Sequence, residues 1–553
     1  MQDQSVFVAG SAGEGIQTIG DVIARSFLSH GYPVFAMQDY ESRIRGGYSS
    51  VRLRVAETPL NAPRADADVL LALSAQAREH YQSLLKPGGL LLAPDAATAI
   101  PFAQLAAEHA GSKLYANSVA AGALCAATGL PLRVLQSVLK ETFSRRGAQT
   151  VDANVRAAAA GFEAARASLG SRAPQELPAR VGRYAFASAH ETIPLAAAAA
   201  GCRFVAAYPM SPSTGIITAF ARQPELGAFA EQAEDEIAAI NMTLGASAAG
   251  ARAMTATSGG GFALMVEALS LAGMTETPLV VVLGQRPGPA TGLPTRTAQE
   301  DLLYAIHAGH GEAPRAVLAP SDPQDAIDKT IRAFDLADRF QIPVVLLTDQ
   351  FLADSSFSLP ALALPAEIPA PHLASPAEIK GVYRRYELTE DGVSPRLALG
   401  QSRHLVCVDS DEHDEDGHIT EDLVSMRPAM VEKRLEKGRR LRTEMAPPSR
   451  SRTEDADLVL IGWGSTKGAI DEAVDRARAA GHKVGALHFT ELWPLPDLTF
   501  AEGPRYWAVE GNATGQLARL LRAEYGLEVE ARIGRYDGLP LDAETIGREL
   551  PWP

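Results

Sequence analysis

The chain has 553 residues, of which 46% are hydrophobic and 21% charged, a composition that predicts three or four globular domains and excludes wholesale disorder and coiled coil. Its 51 Lys and Arg against 66 Asp and Glu leave a net charge of -15, which argues against binding to nucleic acid or acidic lipid. The three cysteines (Cys125, Cys202 and Cys407) include no Cys-x-x-Cys pair, so we expect no four-thiolate iron–sulfur cluster on this chain.

The cysteine content, the first residues and the longest apolar stretch bear on the cellular location of the protein. So few cysteines fit a reducing cytoplasm better than an oxidising compartment. The chain opens Met-Gln-Asp-Gln and runs into a predicted strand without the basic and apolar segments of a leader. The longest apolar stretch, residues 193–207, is interrupted by Arg203 and is shorter than the ~20 residues of a spanning helix. We therefore expect a cytoplasmic protein.

Residues 1–170 predict a first α/β domain. A strand at residues 6–9 leads through the loop Gly10-Ser-Ala-Gly13-Glu-Gly15 into a helical pattern. Further strands are predicted at residues 34–37, 69–73 and 90–93, with a break at Lys86-Pro-Gly-Gly89. Strands separated by helices indicate a parallel, doubly wound sheet.

The glycine loop of this domain has two readings. A loop between a strand and a helix N-terminus can accept an anion. Its spacing is not the Gly-x-Gly-x-x-Gly of a dinucleotide fingerprint, and the candidate acid, Asp39, lies 24 residues past Gly15. A nicotinamide or flavin site and a tight structural turn both stay open.

A linker at residues 171–187 precedes a second domain at residues 188–358. Its predicted strands at 204–207, 253–257 and 279–283 each end in a loop rich in Gly, Pro, Ser or Thr. Such loops at the carboxyl ends of strands are where open α/β sheets bind ligands. We therefore expect the chemistry here.

Four acids lie close together in this domain. Glu231, Glu234, Asp235 and Glu236 precede an apolar helical run that continues into Gly245-Ala-Ser-Ala-Ala-Gly250. Acids on a first helical turn are favoured by the helix dipole, and this explains the cluster without singling out one residue. The small side chains that follow predict a helix that closely approaches a neighbour.

Residues 359–453 predict an irregular extension, and residues 454–553 a small third α/β domain. Residues 409–422 hold eight acids and residues 433–452 hold eight Lys or Arg. The acidic stretch imitates a calcium loop, but its twelfth position is Leu423 where a bidentate Glu is required. We interpret it as a solvated acidic loop whose His413 and His418 make local hydrogen bonds, and we expect no metal site on this chain.

Several motifs then resemble one family. Tyr208-Pro-Met-Ser-Pro-Ser-Thr214 resembles the Tyr-Pro-Ile-Thr-Pro-Ser signature of the 2-oxoacid:ferredoxin oxidoreductases, thiamine-diphosphate enzymes that oxidise 2-oxoacids to acyl-CoA. The segments that also resemble the family's α chain are Glu234-Asp-Glu-Ile-Ala-Ala-Ile-Asn241, Thr255-Ala-Thr-Ser-Gly259, Arg286-Pro-Gly-Pro-Ala-Thr-Gly292, Asp411-Glu-His-Asp-Glu-Asp-Gly-His-Ile-Thr-Glu-Asp422 and Glu510-Gly-Asn-Ala-Thr-Gly-Gln-Leu517. Residues 1–170, with Ser42-Arg-Ile-Arg-Gly-Gly47, resemble its γ chain.

The resemblance implies a fused γ-α subunit. The fold it implies is a Rossmann-like γ domain, a thiamine pyrimidine-binding-type domain and a C-terminal transketolase-C-like domain. In such enzymes a separate β subunit carries the diphosphate, its Mg²⁺ and a 4Fe-4S cluster, and the α chain completes the thiamine site across an interface. The implied partners are therefore this β subunit and ferredoxin, in a dimer of heterodimers, with CoA and a 2-oxoacid as substrates.

The resemblance also implies roles for residues of the second domain. Glu236 matches the carboxylate on the thiamine pyrimidine N1', with Gly245 at the expected spacing on the following helix. Ser211 stands where the family has a threonine whose hydroxyl contacts the substrate. The neighbouring loop positions expected at the substrate are Tyr208, Pro209 and Thr214.

A substrate carboxylate needs a cation, and an Arg fork matches it with two charge-assisted bonds. Arg296 best fits the family's substrate arginine, with Arg286 in reserve. With Arg43 and Arg45 of the γ-like segment, two carboxylates could be served. The fused γ-α arrangement and the Asp411–Asp422 motif also resemble the 2-oxoglutarate branch of the family more than the pyruvate branch, so 2-oxoglutarate is the expected oxoacid and succinyl-CoA the product. Pyruvate or a branched 2-oxoacid, the reverse carboxylation, a flavin or nicotinamide electron-transfer subunit and a non-catalytic scaffold are the alternatives.

Overall fold

The computed structural model describes residues 3–41, 47–96 and 99–552, which form two compact units. The first comprises Met1–Ala187, Ser355–Leu362 and Asp542–Glu544, and the second Ser188–Asp354, Ala363–Leu541 and Thr545–Pro553. No helix within the described ranges is long and apolar enough to cross a bilayer. The finer division into five parts expected from the sequence stays a prediction.

The elements up to residue 187 are β1 (Asp3–Ser11), α1 (Ile16–Ser29), β2 (Val34–Tyr40), β3 (Tyr48–Ala56), β4 (Ala67–Ala72), α2 (Ala75–Tyr81), β5 (Leu85–Leu92), α3 (Phe102–Ala110), α4 (Ala116–Thr128), α5 (Leu132–Phe143), α6 (Ala148–Leu169) and β6 (Ala185–Ala187). They build a five-stranded sheet in the order β2-β3-β1-β4-β5.

This first sheet is mixed. β1, β4 and β5 are parallel, as expected, whereas β3 runs antiparallel to both β1 and β2. Strand β3 was not expected from the sequence, although Val51, Leu53 and Val55 alternate with two arginines there. The break expected at Lys86-Pro-Gly-Gly89 is wrong, because those residues lie within β5.

The elements that follow are α7 (Ala189–Ala199), β7 (Cys202–Ala207), α8 (Thr214–Arg222), β8 (Phe229–Gln232), α9 (Glu236–Ala248), β9 (Arg252–Ser258), α10 (Gly259–Met274), β10 (Leu279–Gln285), α11 (Leu302–His307), β11 (Ala316–Leu318), α12 (Pro323–Phe340), β12 (Pro343–Asp349), α13 (Gln350–Asp354), β13 (Phe357–Leu359), α14 (Met426–Glu444), β14 (Ser449–Ser451), β15 (Leu458–Trp463), α15 (Lys467–Ala479), β16 (Val484–Phe489), β17 (Glu491–Trp493), β18 (Arg505–Glu510), α16 (Gln516–Tyr525), β19 (Ala531–Gly534) and α17 (Ala543–Glu549).

The second unit contains a seven-stranded sheet in the order β17-β11-β12-β10-β9-β7-β8, in which every pairing but that of β17 is parallel. Every residue of β10 and β12 is buried. Their continuous apolar runs are typical of parallel strands covered on both faces. The α/β class expected from the sequence is confirmed.

A five-stranded sheet, β14-β16-β15-β18-β19, follows in the same unit and is parallel except for β14. One apolar core cluster joins the two sheets through residues such as Leu283, Val345, Trp463 and Leu521. The basic helix expected near residue 433 begins at Met426 and ends before Pro447. The extension before it contains a single 3₁₀ turn, Pro376–Glu378, among its otherwise irregular residues.

Candidate functional site

The candidate site lies at the carboxyl edge of the seven-stranded sheet. β7, β9 and β10 end there and are followed by the 208–214 loop, the start of α10 and Arg286. The loops pack closely, because a Cβ at Gly284 would lie 2.5 Å from Ser213 Oγ. Ser213 Oγ also donates a hydrogen bond of 2.5 Å to the Thr257 carbonyl oxygen. The loops therefore meet at one edge of the sheet, and this is the place where α/β sheets bind ligands.

Glu236 is the first residue of α9 and is only 4% exposed. Asp235 caps this helix by accepting from the Ala238 amide at 2.7 Å, which leaves the Glu236 carboxylate free for another role. Its Oε1 atom is buried and has no hydrogen-bond partner among the described residues. A buried carboxylate oxygen without a donor is costly, so this atom calls for a donor that the described chain does not supply.

The first turn of α10 faces this carboxylate. A Cβ at Gly261 would lie 2.5 Å from Glu236 Oε1 and 2.2 Å from Thr257 Oγ1, so no larger residue fits there without displacing them. The hydroxyls of Thr255 and Ser258 are also buried and unpartnered in the described part of the chain. The carboxylate and these two hydroxyls are thus buried polar groups that the described chain does not satisfy.

The outer faces of α9 and α10 beside Glu236 are open and partly apolar. Ile237, Met242 and Leu264 are exposed. A Cβ added at Gly245 would meet nothing within 4 Å. The outer surfaces of α9 and α10 are thus partly uncovered in the described chain, and another chain could approach there.

The substrate-loop residues lie at the surface of this edge. Tyr208 and Ser211 are exposed, Pro209 is half-buried, and Thr214 is the first residue of α8. Ser211 is therefore accessible to a small molecule at this edge of the sheet.

A histidine that the sequence analysis did not single out anchors this loop. His190 Nε2 donates to the Pro212 carbonyl oxygen at 2.6 Å, and its Nδ1 lies 3.2 Å from Asp354 Oδ1. The ring also packs on Gly215, where a Cβ would lie 2.5 Å from it. No local pattern marks His190, because its partners are 22 and 164 residues away along the chain.

Arg286 contacts the same loop. It is 9% exposed, and its Nη1 donates to the Ser211 carbonyl oxygen at 2.8 Å. Burial lowers the pKa of Arg286, and the nearby Asp301 opposes this shift. Burial raises the pKa of Asp301 to about 6, with Glu300 adding to the rise and Arg286 opposing it. Arg286 thus lies beside Ser211, and the neighbouring Asp301 has a raised pKa.

Arg296 lies at the far end of the loop that follows Arg286. It is half-buried, and its backbone amide donates to Leu293 at 3.1 Å. The start of its side chain packs on Gly538, where a Cβ would lie 3.0 Å from the Arg296 Cβ. Arg43 and Arg45 fall outside the described residues, so their predicted role stays a prediction.

In the first unit Gly10 and Ser11 belong to β1, and residues 12–15 form a tight turn before α1. Gly13 and Gly15 have φ angles of 93° and 78°, which favour glycine. The Ser11 amide donates to Glu14 Oε2 at 2.6 Å. Asp39, the acid that a nucleotide ribose would require, accepts from Arg52 at 2.5 Å. These contacts account for the conformation of the loop.

Family models match three parts of the chain. Residues 195–433 match "pyruvate flavodoxin/ferredoxin oxidoreductase, thiamine diP-bdg", residues 5–164 match "pyruvate ferredoxin/flavodoxin oxidoreductase", and residues 456–509 match "pyruvate:ferredoxin oxidoreductase core domain II". The first match covers the candidate site.

Similar proteins extend over almost the whole chain. A 2-oxoacid:ferredoxin oxidoreductase α subunit of Aeropyrum pernix is 31% identical over 98% of this chain and 96% of its own length. The 2-oxoglutarate oxidoreductase subunit KorA of Mycobacterium tuberculosis is 30% identical over 98% and 90%. A solved 2-oxoglutarate:ferredoxin oxidoreductase of Magnetococcus marinus, with 2-oxoglutarate, coenzyme A and succinyl-CoA bound, is 33% identical, covers 99% of each chain and has a TM-score of 0.93.

Proposed function

Because the chain belongs to the 2-oxoacid:ferredoxin oxidoreductases, as an α-type subunit, we propose that it is the fused γ-α subunit of an enzyme that uses 2-oxoglutarate. The proposed reaction converts 2-oxoglutarate, CoA and oxidised ferredoxin to succinyl-CoA, CO₂ and reduced ferredoxin, or runs in reverse. The observation that carries the proposal is the buried, unpartnered Oε1 of Glu236 beside Gly261. The similar Magnetococcus marinus enzyme, which binds 2-oxoglutarate and succinyl-CoA, favours this oxoacid.

Thiamine diphosphate fits the donor set of this site. When bound, it supplies the electron sink that decarboxylation of a 2-oxoacid requires. Glu236 would hold its aminopyrimidine ring through Oε1, a buried carboxylate oxygen that lacks a donor among the described residues. Gly261 keeps the approach to that oxygen clear, and Gly245 leaves room on α9.

Glu236 can then take part in proton transfer. A buried carboxylic acid can donate a strong hydrogen bond to a ring nitrogen and share its proton with that atom. Because Asp235 already caps α9, Glu236 is not needed to satisfy the helix. Proton transfer at the pyrimidine ring would give this buried carboxylate a role beyond the favourable helix dipole.

The oxoacid would bind at the 208–214 loop. Ser211 offers a hydroxyl at this edge of the sheet, and Arg286 offers a buried guanidinium whose Nη1 already fixes the Ser211 carbonyl. Asp301 lies close enough to oppose the lowering of the Arg286 pKa by burial. Arg296 is the second cation of this loop, and the two arginines together could serve both carboxylates of 2-oxoglutarate.

The remaining parts of the reaction are assigned to partners. Cys125 and Cys202 are buried free thiols and Cys407 is half-buried, and three cysteines are too few for a four-thiolate cluster. A β subunit would carry the diphosphate, Mg²⁺ and the 4Fe-4S cluster, and ferredoxin would accept the electrons. The open faces of α9 and α10 beside Glu236 suit an approach by that subunit.

Expressed alone, the chain should reduce no redox dye with any 2-oxoacid and should bind little thiamine diphosphate. The reason is that it supplies the pyrimidine side of the site but not the diphosphate side. Dye reduction and calorimetric titration of the isolated chain, compared with the complex purified through a tag on this chain, measure both. Oxoacid-dependent dye reduction by the isolated chain would contradict the proposal. Light scattering should give a dimer of heterodimers for the complex.

The substrate assignment is tested on the same complex. Steady-state kinetics with 2-oxoglutarate, pyruvate and a branched 2-oxoacid should give the highest kcat/KM for 2-oxoglutarate. A second carboxylate that entered a pocket without a cation would be left unpaired, which is costly. A kcat/KM for pyruvate equal to or above that for 2-oxoglutarate would make this a pyruvate enzyme of the same reaction type.

Arg296→Ala should raise KM for the oxoacid and lower kcat/KM by ~10- to 100-fold, because a lost charge-assisted pair costs ~1.5–3 kcal/mol. Arg286→Ala should have an effect of the same order, and Arg286→Lys should restore little because it lacks the bidentate fork. Arg222→Ala, at an exposed arginine of α8, is the matched control. An Arg296 variant that behaves like this control would leave Arg286 as the substrate arginine.

A further inference from the structure

Three consecutive residues of the loop between β7 and α8 are each held by a different part of the chain. Arg286 donates to the Ser211 carbonyl oxygen at 2.8 Å, and the Ser213 hydroxyl donates to a carbonyl oxygen of β9. Between these two anchors, His190 Nε2 donates to the Pro212 carbonyl oxygen at 2.6 Å. The position of Ser211 is therefore set by contacts that are distant in sequence.

The protonation of His190 follows from its two partners. A carbonyl oxygen only accepts hydrogen bonds, so Nε2 carries a proton. Nδ1 lies 3.2 Å from Asp354 Oδ1, and an ionised carboxylate also only accepts. The ring satisfies both contacts when both nitrogens carry a proton, and the charge of that ring strengthens each contact. His190 thus links Asp354 to the loop.

Asp354 is itself held in place. It is the last residue of α13, and its Oδ2 accepts from Gln350 Nε2 at 2.9 Å. Helix α13 directly follows β12, which pairs with β10 in the seven-stranded sheet. The contact at one ring nitrogen of a histidine fixes what the other nitrogen can do. A fixed Asp354 therefore directs Nε2–H of His190 toward the Pro212 carbonyl oxygen.

The imidazole ring also packs closely under the start of α8. A Cβ at Gly215, the second residue of α8, would lie 2.5 Å from Cγ of the His190 ring. His190 is the second residue of α7, and the Ser188 amide of that helix donates to Glu191 Oε2 at 2.9 Å in a capping box. The start of α7 is thus capped without His190, whose side chain serves the neighbouring loop instead.

We propose that His190 is a positioning residue of the oxoacid site, which fixes Ser211 through the Pro212 carbonyl so that Ser211 and Arg286 meet the same substrate molecule. This inference rests on the proposed function, which places the oxoacid at this loop. Arg286 must divide its donors between the Ser211 carbonyl and a substrate carboxylate. The His190 contact involves no substrate-binding group, so it holds the loop while Arg286 binds the oxoacid.

The test compares His190→Ala with His190→Gln in the assembled enzyme. Alanine removes both ring contacts, whereas glutamine keeps an N–H donor for Pro212. His190→Ala should lower kcat/KM for 2-oxoglutarate by ~10-fold or more, mainly through KM, because displacing a positioned group by ~1 Å can cost ~100-fold. His190→Gln should recover most of this loss. His310→Ala, at an exposed histidine of the same unit, should behave like wild type.

Two further measurements separate positioning from general damage to the structure. Deuterium exchange at C2 of the bound thiamine, without oxoacid, should be unchanged in His190→Ala, because it depends on Glu236 and needs no substrate. Hydrogen exchange of loop peptides in the isolated chain, read by mass spectrometry, should be faster, because the loop has lost one anchor. If His190→Ala does not fold, His190→Asn, which keeps a donor toward Asp354 but is too short for Pro212, takes its place.

The outcomes separate the inference from the proposed function. A His190→Ala enzyme with the kcat/KM of the His310→Ala control overturns the inference alone, even if its loop exchanges faster. A C2 exchange rate that falls as much as kcat/KM also overturns it, because the effect is then not confined to the oxoacid. A His190→Gln enzyme no better than His190→Ala overturns the role of the Pro212 contact. A wild-type complex that oxidises no 2-oxoacid overturns the proposed function, whatever the loop exchange shows.

Discussion

Replacing Glu236 by glutamine in the assembled enzyme is expected to lower kcat by ~100-fold or more, because loss of a positioned acid–base group typically costs this much. The amide keeps the size of the side chain and can still form a hydrogen bond, but it cannot exchange a proton with the ring nitrogen. KM for the oxoacid should change little, since Glu236 faces Gly261 and Thr257. Dye reduction under saturating 2-oxoglutarate measures the effect.

Glu234→Gln is the matched control, because Glu234 is exposed and lies two residues away. Its kcat should stay near wild type. Deuterium exchange at C2 of the bound thiamine gives a second readout that does not depend on the oxoacid. Near-normal exchange in Glu236→Gln would contradict the assigned role, even if turnover were reduced for another reason.

The site residues differ in how much of their role the sequence could reveal. Periodicity predicted a helix after the acid cluster, but the four acids were equivalent at that level, and only the resemblance selected Glu236. The structure distinguishes it physically, because Glu234 and Asp235 are exposed whereas Glu236 is buried with an unpartnered oxygen. Burial of one acid among four depends on the tertiary packing of α9 against α10, which no local pattern encodes.

Contacts between residues distant in sequence could not be predicted for the same reason. Arg286 meets Ser211 across 75 residues and His190 meets Asp354 across 164. Strand β3 carried the alternating pattern that predicts a strand, but the pairing that places it between β2 and β1 is antiparallel. The expectation of a parallel sheet built from alternating strands and helices does not predict an antiparallel strand between β2 and β1.

The pattern of charged residues showed an acidic segment and a basic segment, but it did not show how either segment folds. Eight acids in residues 409–422 favoured a solvated loop, whereas Glu412 and Asp414 make internal hydrogen bonds. The basic helix that pairs with them was visible as a separate block of charge. Opposite blocks so close in sequence can pair, and here the pairing of Glu412 with Arg434 fixes the extension on α14.

A buried ionic cluster holds the same helix. Glu276 is fully buried, and its carboxylate accepts from Lys433 Nζ at 2.7 Å and from Lys437 Nζ at 2.8 Å. Burial alone would raise the pKa of Glu276, but Lys437 and Lys433 outweigh it and hold that pKa well below its usual range. Burial lowers the pKa of Lys437 to about 8, with Glu276 opposing the shift. One carboxylate thus compensates two buried ammonium groups.

Glu276→Gln should therefore lower the free energy of unfolding by ~3–5 kcal/mol, because removing one partner leaves buried charge uncompensated. The shift in denaturant midpoint of the isolated chain measures it. Glu267→Gln, at an exposed position of α10, should stay within ~0.5 kcal/mol of wild type. Adding Lys437→Met to Glu276→Gln should recover part of the loss, since an apolar side chain of similar length removes one of the two stranded charges. A denaturant midpoint for Glu276→Gln equal to that of the control would contradict this prediction. It would show that Lys433 and Lys437 lose their protons or become hydrated at little cost in free energy, so that the cluster does not stabilise the fold.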